Sequence, residues 1–162
     1  MAIMTNVDVL DIEDGILDAL RDDPTLLGWL KTIQSYGGEL EEEIAHVPHL
    51  YPAAYVLYRH GRYAPITPHE EEAAFTFSIL VVTLTLTGNQ VARRGRSGVP
   101  GNYAILREIR RVLIGNMLGI PLLPPLQVVS EEAVINTRAM SIYDAQYVTR
   151  QNVIRREGYH AI

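Results

Sequence analysis

The 162-residue sequence contains no cysteine. This absence excludes disulfide frameworks, thiolate zinc sites, iron–sulfur clusters and cysteine nucleophiles. Long apolar runs are also missing, because the two longest, residues 78–86 and 117–126, fall short of the roughly 20 residues that a membrane-spanning helix needs. Residues 1–10 carry no basic region. We therefore expect no membrane partner and no secretory signal.

Lysine is scarce, since Lys31 is the single lysine among 14 basic residues. Arginine is favoured where planar contacts to carboxylates form at protein interfaces. Charge is also divided unevenly: residues 1–72 hold 14 acidic and 4 basic groups, whereas residues 73–162 hold 5 acidic and 10 basic groups. This division favours contact between unlike surfaces of neighbouring copies over nonspecific nucleic-acid binding by the whole chain.

Hydrophobic periodicity predicts an α+β fold, a mostly antiparallel sheet of four to five strands with two main helices packed on one face. The helices are predicted at residues 9–20 and 103–118, with Asn102 as the N-cap of the second. The predicted strands lie at residues 32–36, 53–59, 74–87, 126–131 and 140–149. The chain is expected to form a single domain, residues 1–162, with residues 150–162 as a flexible C-terminal tail.

Two central segments have an unusual pattern. In the strand predicted at residues 74–87 the apolar residues change sides near Leu80, so its two ends are expected to be covered by different elements. The protein's own helices would cover one end, and a neighbouring subunit is one candidate for the other.

Residues 61–72 hold two prolines and three consecutive glutamates, a composition typical of an exposed loop or a hairpin tip.

Motifs for catalysis or metal binding are not found. His46 and His49 flank a proline and lack the HExxH pattern, so a loop or packing role is favoured over a metal site. No serine lies in a GxSxG context, and the glycines of residues 95–101 do not have the spacing of a phosphate-binding loop. The run Glu70–Glu72 is typical of a solvated charged surface. We predict no catalytic residue, no metal and no cofactor.

Six segments resemble, in order and spacing, a family of small tail proteins of Mu-like bacteriophages and related prophages. They are Ile12-Glu13-Asp14-Gly15-Ile16, Ile33 to Leu40, Pro52 to Tyr58, Ala92-Arg93-Arg94-Gly95, Gly101 to Leu106 and Ser141 to Tyr147. The resemblance covers residues 11–149. The chain departs from the family pattern in the extended segment 61–72 and in the length of chain after Thr149.

The resemblance implies a tail terminator, or tail-completion protein, with a fold similar to the terminators of long-tailed phages. Such subunits form a ring, usually of six copies, on the last ring of tail-tube protein. The ring ends tube polymerisation and offers the surface to which the filled head attaches. The implied partners are further copies of the chain, the tail-tube protein, the sheath of a contractile tail and head-completion proteins. The implied location is the head end of the tail in the virion, after assembly in the bacterial host cytoplasm.

Two charged clusters are candidate subunit or lumen contacts. The basic cluster comprises Arg93, Arg94 and Arg96 in a predicted loop, with Arg107 and Arg110 on the following helix. The acidic cluster comprises Glu39, Glu41, Glu42 and Glu43, for which a solvated surface is the alternative. We expect the arginine loop to face the lumen or the adjacent subunit, and the acidic segment to lie at a subunit or tube contact.

Two other functions are considered. A head–tail joint adaptor would contact nucleic acid through the arginine loop, and its binding would depend on salt. A small hydrolase has no motif in its favour. Nucleic acid is otherwise expected only as a molecule passing through the lumen of the ring.

Overall fold

The structure, a computed structural model, describes residues 7–41, 50–85 and 87–154. Its elements are, in order, α1 (Val9–Asp22), α2 (Pro24–Trp29), β1 (Thr32–Ser35), β2 (Ala53–Thr67), β3 (Glu70–Leu84), α3 (Asn89–Arg94), α4 (Asn102–Leu113), β4 (Gln127–Asn136) and β5 (Met140–Ile154). The strands form one sheet in the order β1-β2-β3-β5-β4. Only the β1–β2 pair is parallel among these strands. The predicted α+β class is confirmed.

One side of the sheet, the helix face, is covered by α1 and α4. Apolar residues three and four apart on these helices pack against alternate residues of the sheet, α1 over β1 and β2 and α4 over β3 and β5. The buried set includes Ile12, Ile16 and Leu20 of α1, Ile105 and Ile109 of α4, Phe77, Ile79 and Val81 of β3, and Tyr147 of β5. Each such side chain contributes about 1.5–3 kcal/mol by leaving water. This core fixes the helices on the sheet.

The other side of the sheet, the second face, is covered over part of its area by the chain between β1 and β2. Tyr36, Leu40, Leu50 and Tyr51 pack there against a cluster that includes Tyr55. The same cluster contains Val82 of β3 and Ile142 of β5. Different elements therefore cover the two ends of the longest predicted strand, as expected, and the second cover belongs to the same chain rather than to a neighbouring subunit.

Residues 61–72 are mostly the paired arms of a β-hairpin, so the prediction of an exposed loop or a hairpin tip was wrong for most of this segment. β2 runs to Thr67 and β3 begins at Glu70, and the two pair along this length. Proline is tolerated at position 65 because β1 pairs only with residues 53–56, which leaves this part of β2 at the edge of the sheet. Only residues 68 and 69 form the tip.

The flexible C-terminal tail was predicted to begin at residue 150, but the sheet continues beyond that residue. β5 continues to Ile154, and residues 150–154 pair with the first residues of β3. Gln151 is buried there. The long arm of β3 provides the pairing partner, which the polar sequence of this stretch did not suggest. Residues 155–162 lie outside the described residues.

The second main helix is shorter than predicted. α4 ends at Leu113 rather than at residue 118. Gly115 follows with φ of +79°, a conformation in which glycine is favoured, and its N–H donates to the Leu126 carbonyl at 2.9 Å. The chain turns there toward β4.

The prediction that Asn102 is the N-cap of α4 was wrong. Asn102 is fully buried and bridges several elements. Gly101 occupies the cap position. The Asn102 amide donates to the Val81 carbonyl at 3.0 Å and to the Ser141 carbonyl at 3.4 Å, and its oxygen accepts from the Thr83 hydroxyl. The start of α4 is thereby tied to β3 and β5 in the interior, where a polar group must have partners.

We expect Asn102→Ala to lower the free energy of unfolding by about 1–3 kcal/mol, because it leaves buried polar groups without their partner. Urea denaturation followed by circular dichroism measures the loss. The matched control is Gln90→Ala, at an exposed position in α3, which should change stability by less than about 0.5 kcal/mol. Equal effects of the two substitutions would contradict the bridging role.

Candidate interaction surface

The predicted arginine loop contains a short helix. α3 spans Asn89–Arg94, so Arg93 and Arg94 lie in its last turn, where basic residues are favoured. The Thr83 hydroxyl lies 2.9 Å from the Ala92 carbonyl oxygen and shares its single proton between that oxygen and Asn102 Oδ1, which holds α3 on the helix face at one end of the sheet. The prediction that Arg93 and Arg94 lie in a loop was therefore wrong, because a tertiary hydrogen bond stabilises a helix too short to be evident from periodicity.

Arg93 is used inside the subunit. Its Nε donates to Asn89 Oδ1 at 2.6 Å, and its Nη1 donates to the Tyr103 hydroxyl at 2.6 Å. Tyr103 packs edge-on against Tyr143 of β5, with ring centroids 6.0 Å apart. Hydrogen bonds from Tyr143 and Arg93 lower the pKa of Tyr103. Arg93 thus joins α3 to α4, and its substitution would disturb the subunit itself.

The glycine-rich segment after α3 is a tight turn. Arg96 and Val99 exchange backbone hydrogen bonds of 3.0 and 2.9 Å. A Cβ atom on Gly95 would lie 2.5 Å from the Val99 carbonyl oxygen, and one on Gly101 would lie 2.4 Å from the backbone nitrogen of Gly95. Only glycine fits at these two positions. The turn presents Arg96 to solvent, next to exposed Arg94.

The arginines of α4 differ in how far their contacts reach within the subunit. Arg107 is 64% exposed and lies 3.4 Å from its neighbour in sequence, Glu108. Arg110 forms an ion pair with Glu131 of β4, with Nη1 2.6 Å from Oε2. Arg111 bonds Asp23 and Glu108, each at 2.6 Å. Arg110 therefore joins α4 to the edge of the sheet, and Arg111 joins α4 to α2.

The acidic cluster is only partly described. Glu39 accepts hydrogen bonds from the Gln34 amide and the Gly37 backbone N–H, both at 2.7 Å, and so closes the turn after β1. Glu41 lies in the 3-10 turn Glu39–Glu41. Glu42 and Glu43 lie outside the described residues. The carboxylate of Glu39 is thus occupied by its own turn.

The structure does not bring the two predicted clusters together. Arg93, Arg94 and Arg96 belong to the helix face, where Thr83 holds α3. Glu39 precedes Leu40, which packs on the second face. The sheet lies between them. The exposed arginines of the basic cluster are Arg94, Arg96 and Arg107, which leaves these three available to another molecule.

The sheet has two edges that the sequence did not reveal. Within the described part of the chain, β4 pairs only with β5, and β2 beyond Val56 pairs only with β3. β4 also exposes apolar side chains, with Val129 and Val134 both 55% exposed. Exposed valines on an edge strand, whose outer side has no partner strand, are typical of a site that pairs with another chain. The alternating sequence predicts strands but not which strand lies at an edge.

A groove of about 430 Å³ lies on the second face, beside the hairpin arms. Arg62 of β2 and Arg150 of β5 flank Ala74 of β3 in one row across three strands. His60 and Gln146 also line the groove. These residues are up to 90 positions apart in the sequence, so only the strand register brings them together.

Other classes of site are not found in the parts of the chain that the structure describes. No group of three or more histidine and carboxylate side chains among residues 7–41, 50–85 and 87–154 could hold a metal ion. His46 and His49 lie outside these ranges. No helix within them is both long and apolar enough to cross a membrane.

The chain matches one protein-family model, described as bacteriophage Mu, Gp37, over residues 8–152. The match extends three residues beyond the predicted resemblance at each end, and it confirms the assignment to proteins of Mu-like phages. No curated protein matches the chain significantly.

The Arg111 contacts predict a specific pH dependence. Burial raises the pKa of the Asp23 carboxyl, but the hydrogen bond from Arg111 and its charge outweigh this effect and hold that pKa below its ordinary value of 3.8. Because the folded-state pKa is depressed, the stabilisation is complete above the ordinary value and is lost as pH falls through the folded-state pKa. The same arginine lowers the pKa of Glu108.

Arg111→Met should therefore unfold at a lower temperature than wild type at pH 7, and the difference should shrink at pH 2–3. Thermal unfolding at several pH values measures it. Arg107→Met is the control, because exposed Arg107 has only the 3.4 Å contact with Glu108 and should change little at either pH. A constant difference across this range would show that the charge of Arg111 is not responsible.

Proposed function

The chain belongs to the bacteriophage Mu Gp37 family, a family of phage structural proteins, and we propose that it forms the ring that caps the tail tube. In this proposal the ring ends tube polymerisation and provides the surface to which the filled head attaches. The subunit acts by assembly rather than by catalysis, and its location is the head end of the tail. Six copies form the ring, as the sequence resemblance implies.

The observation that carries this proposal is the pair of unlike edges on one sheet. A closed ring needs a heterologous interface, in which one patch of a subunit meets a different patch of the next. β4 provides one unpaired edge and the outer half of β2 provides the other. A subunit with two dissimilar edges can be repeated around an axis until the ring closes.

Exposed arginines provide a second contact surface in this proposal. Arg94, Arg96 and Arg107 lie at the end of the subunit where α3 meets the start of α4. Arginine side chains suit carboxylates on a partner surface. We assign this end to the next subunit or to a protein above or below the ring: the tail-tube protein, the sheath or a head-completion protein.

A second candidate is an adaptor that touches nucleic acid at the head–tail joint. Exposed Arg94 and Arg96, together with Arg62 and Arg150 at the groove, favour it. Guanidinium groups spaced along a surface bind phosphates without sequence preference. Binding of duplex DNA that weakens steeply with salt, in the absence of ring formation, would favour this candidate over the ring.

The ring is tested by the mass of the protein in solution. Native mass spectrometry and sedimentation should find a species of about six times the 18.1 kDa chain mass, and electron microscopy should show rings, alone and at one end of added tail tubes. A protein that stays monomeric at every concentration and ignores tube ends would overturn the proposal.

The double charge reversal Arg94→Glu/Arg96→Glu should weaken assembly or tube binding at least tenfold while the circular dichroism spectrum stays unchanged. Within the described residues the side chains of Arg94 and Arg96 form no hydrogen bond or ion pair, unlike that of Arg93. Lys31→Glu, at an exposed position near β1, is the control and should assemble as wild type. Normal assembly and tube capping by the double variant would remove these arginines from the contact surface.

A further inference from the structure

The two unpaired edges have matching lengths. β4 offers residues 127–136 along its outer side, and β2 offers residues 57–67 beyond its short pairing with β1. Within the described residues no strand pairs with the outer side of either stretch. An unpaired strand of this length presents a row of backbone donors and acceptors that a second strand can satisfy.

Strand directions favour pairing between these edges. Each neighbouring pair from β2 through β3 and β5 to β4 is antiparallel, so β2 and β4 run in opposite directions. If copies are related by rotation about an axis, β4 of one copy meets β2 of the next in the antiparallel sense. This is the more stable arrangement of a strand pair.

The charges on the two edges are opposite. The outer part of β2 carries exposed Arg59, His60 and Arg62, whereas the middle of β4 carries exposed Glu132 beside Glu131, which already pairs with Arg110. Two β4 edges or two β2 edges would bring like charges together, which is unfavourable in strand pairs. Opposite charges therefore favour the head-to-tail arrangement of a ring.

The unpaired stretches are offset along the strands. Glu132 is level with Leu80 of β3, whereas Arg62 is level with Ala74, six residues along the same strand. Six residues correspond to about 20 Å along the strand direction. One copy contributes four strands, β2, β3, β5 and β4, which span about 19 Å across the sheet. The offset corresponds to a strand tilt of about 45°, close to the 35–45° typical of closed barrels. The offset of six residues is an even number. Because side chains alternate between the two faces of a strand, an even offset keeps each face of the sheet continuous from one copy to the next.

We propose that β4 of one copy pairs antiparallel with the outer half of β2 of the next copy, with Glu132 opposite Arg62, so that the sheets join around the ring. The inference rests on the proposed ring.

In this register Ser130 lies opposite Ala64 and Ile135 opposite His60. The exposed Val128 and Val129 of β4 then lie beside the part of the hairpin arm where Tyr63 and Ile66 are exposed.

Because the chain has no cysteine, disulfide trapping tests this register directly. The variant Ser130→Cys/Ala64→Cys places two thiols on opposed small residues, within the reach of a disulfide. After mild oxidation, denaturing electrophoresis without reductant should show a ladder of covalent species up to the copy number of the ring. Each single-cysteine variant, and the pair Ser130→Cys/Leu27→Cys with exposed Leu27 on α2, should show no ladder.

The outcomes separate the inference from the proposed function. Rings without a ladder in the double variant would overturn the strand pairing and leave the ring standing. Covalent dimers of the Ser130→Cys single variant would indicate β4–β4 pairing and would also overturn it. A wild-type protein that remains monomeric would overturn both.

Charge exchange gives a second test that needs no oxidation. Arg62→Glu and Glu132→Arg should each reduce ring formation at least tenfold, because each places like charges opposite one another. The double variant Arg62→Glu/Glu132→Arg should recover most of it, which a merely structural role for either residue would not explain. Absence of recovery in a correctly folded double variant would contradict the register.

Discussion

The pairing of β3 with β5 holds the whole sheet together. It joins fifteen residues of each strand, from Glu70 opposite Ile154 to Leu84 opposite Met140. β2 and β4 are then placed outside it by their hairpins. The pairing brings together parts of the chain about 70 residues apart, and the helices cover it on one face. Without it the two hairpins would have no common sheet.

Part of the charge that the sequence suggests is available to partners instead holds the subunit together. Arg93 joins α3 to α4, Arg110 joins α4 to β4, and Arg111 joins α4 to α2. An arginine with several partners in its own subunit makes a poor contact for another molecule, since each new bond would replace an existing one. The surface open to partners is therefore smaller than the sequence indicates.

The outer edges of β2 and β4 suit the subunit to assembly with other copies. Isolated soluble proteins usually cover or charge their edge strands to prevent association. Here the charges on the two edges have opposite signs, so they oppose pairing of like edges and favour pairing of unlike ones. The bulges in β2 and β4 bend these edges, which suits a sheet that curves around an axis.

Local periodicity and motifs along the chain were sufficient to predict the α+β class, the positions of α1 and of most strands, and the family. The folded chain was needed to show that residues 61–72 and 150–154 belong to the sheet, that Asn102 bridges strands, and which arginines remain exposed. Each of these depends on a partner distant in the sequence: the long arm of β3 pairs with polar residues on both sides, and buried carbonyls of β3 and β5 take up the side chain of Asn102. Local patterns cannot specify such partners, since pairing register and burial are properties of the assembled core.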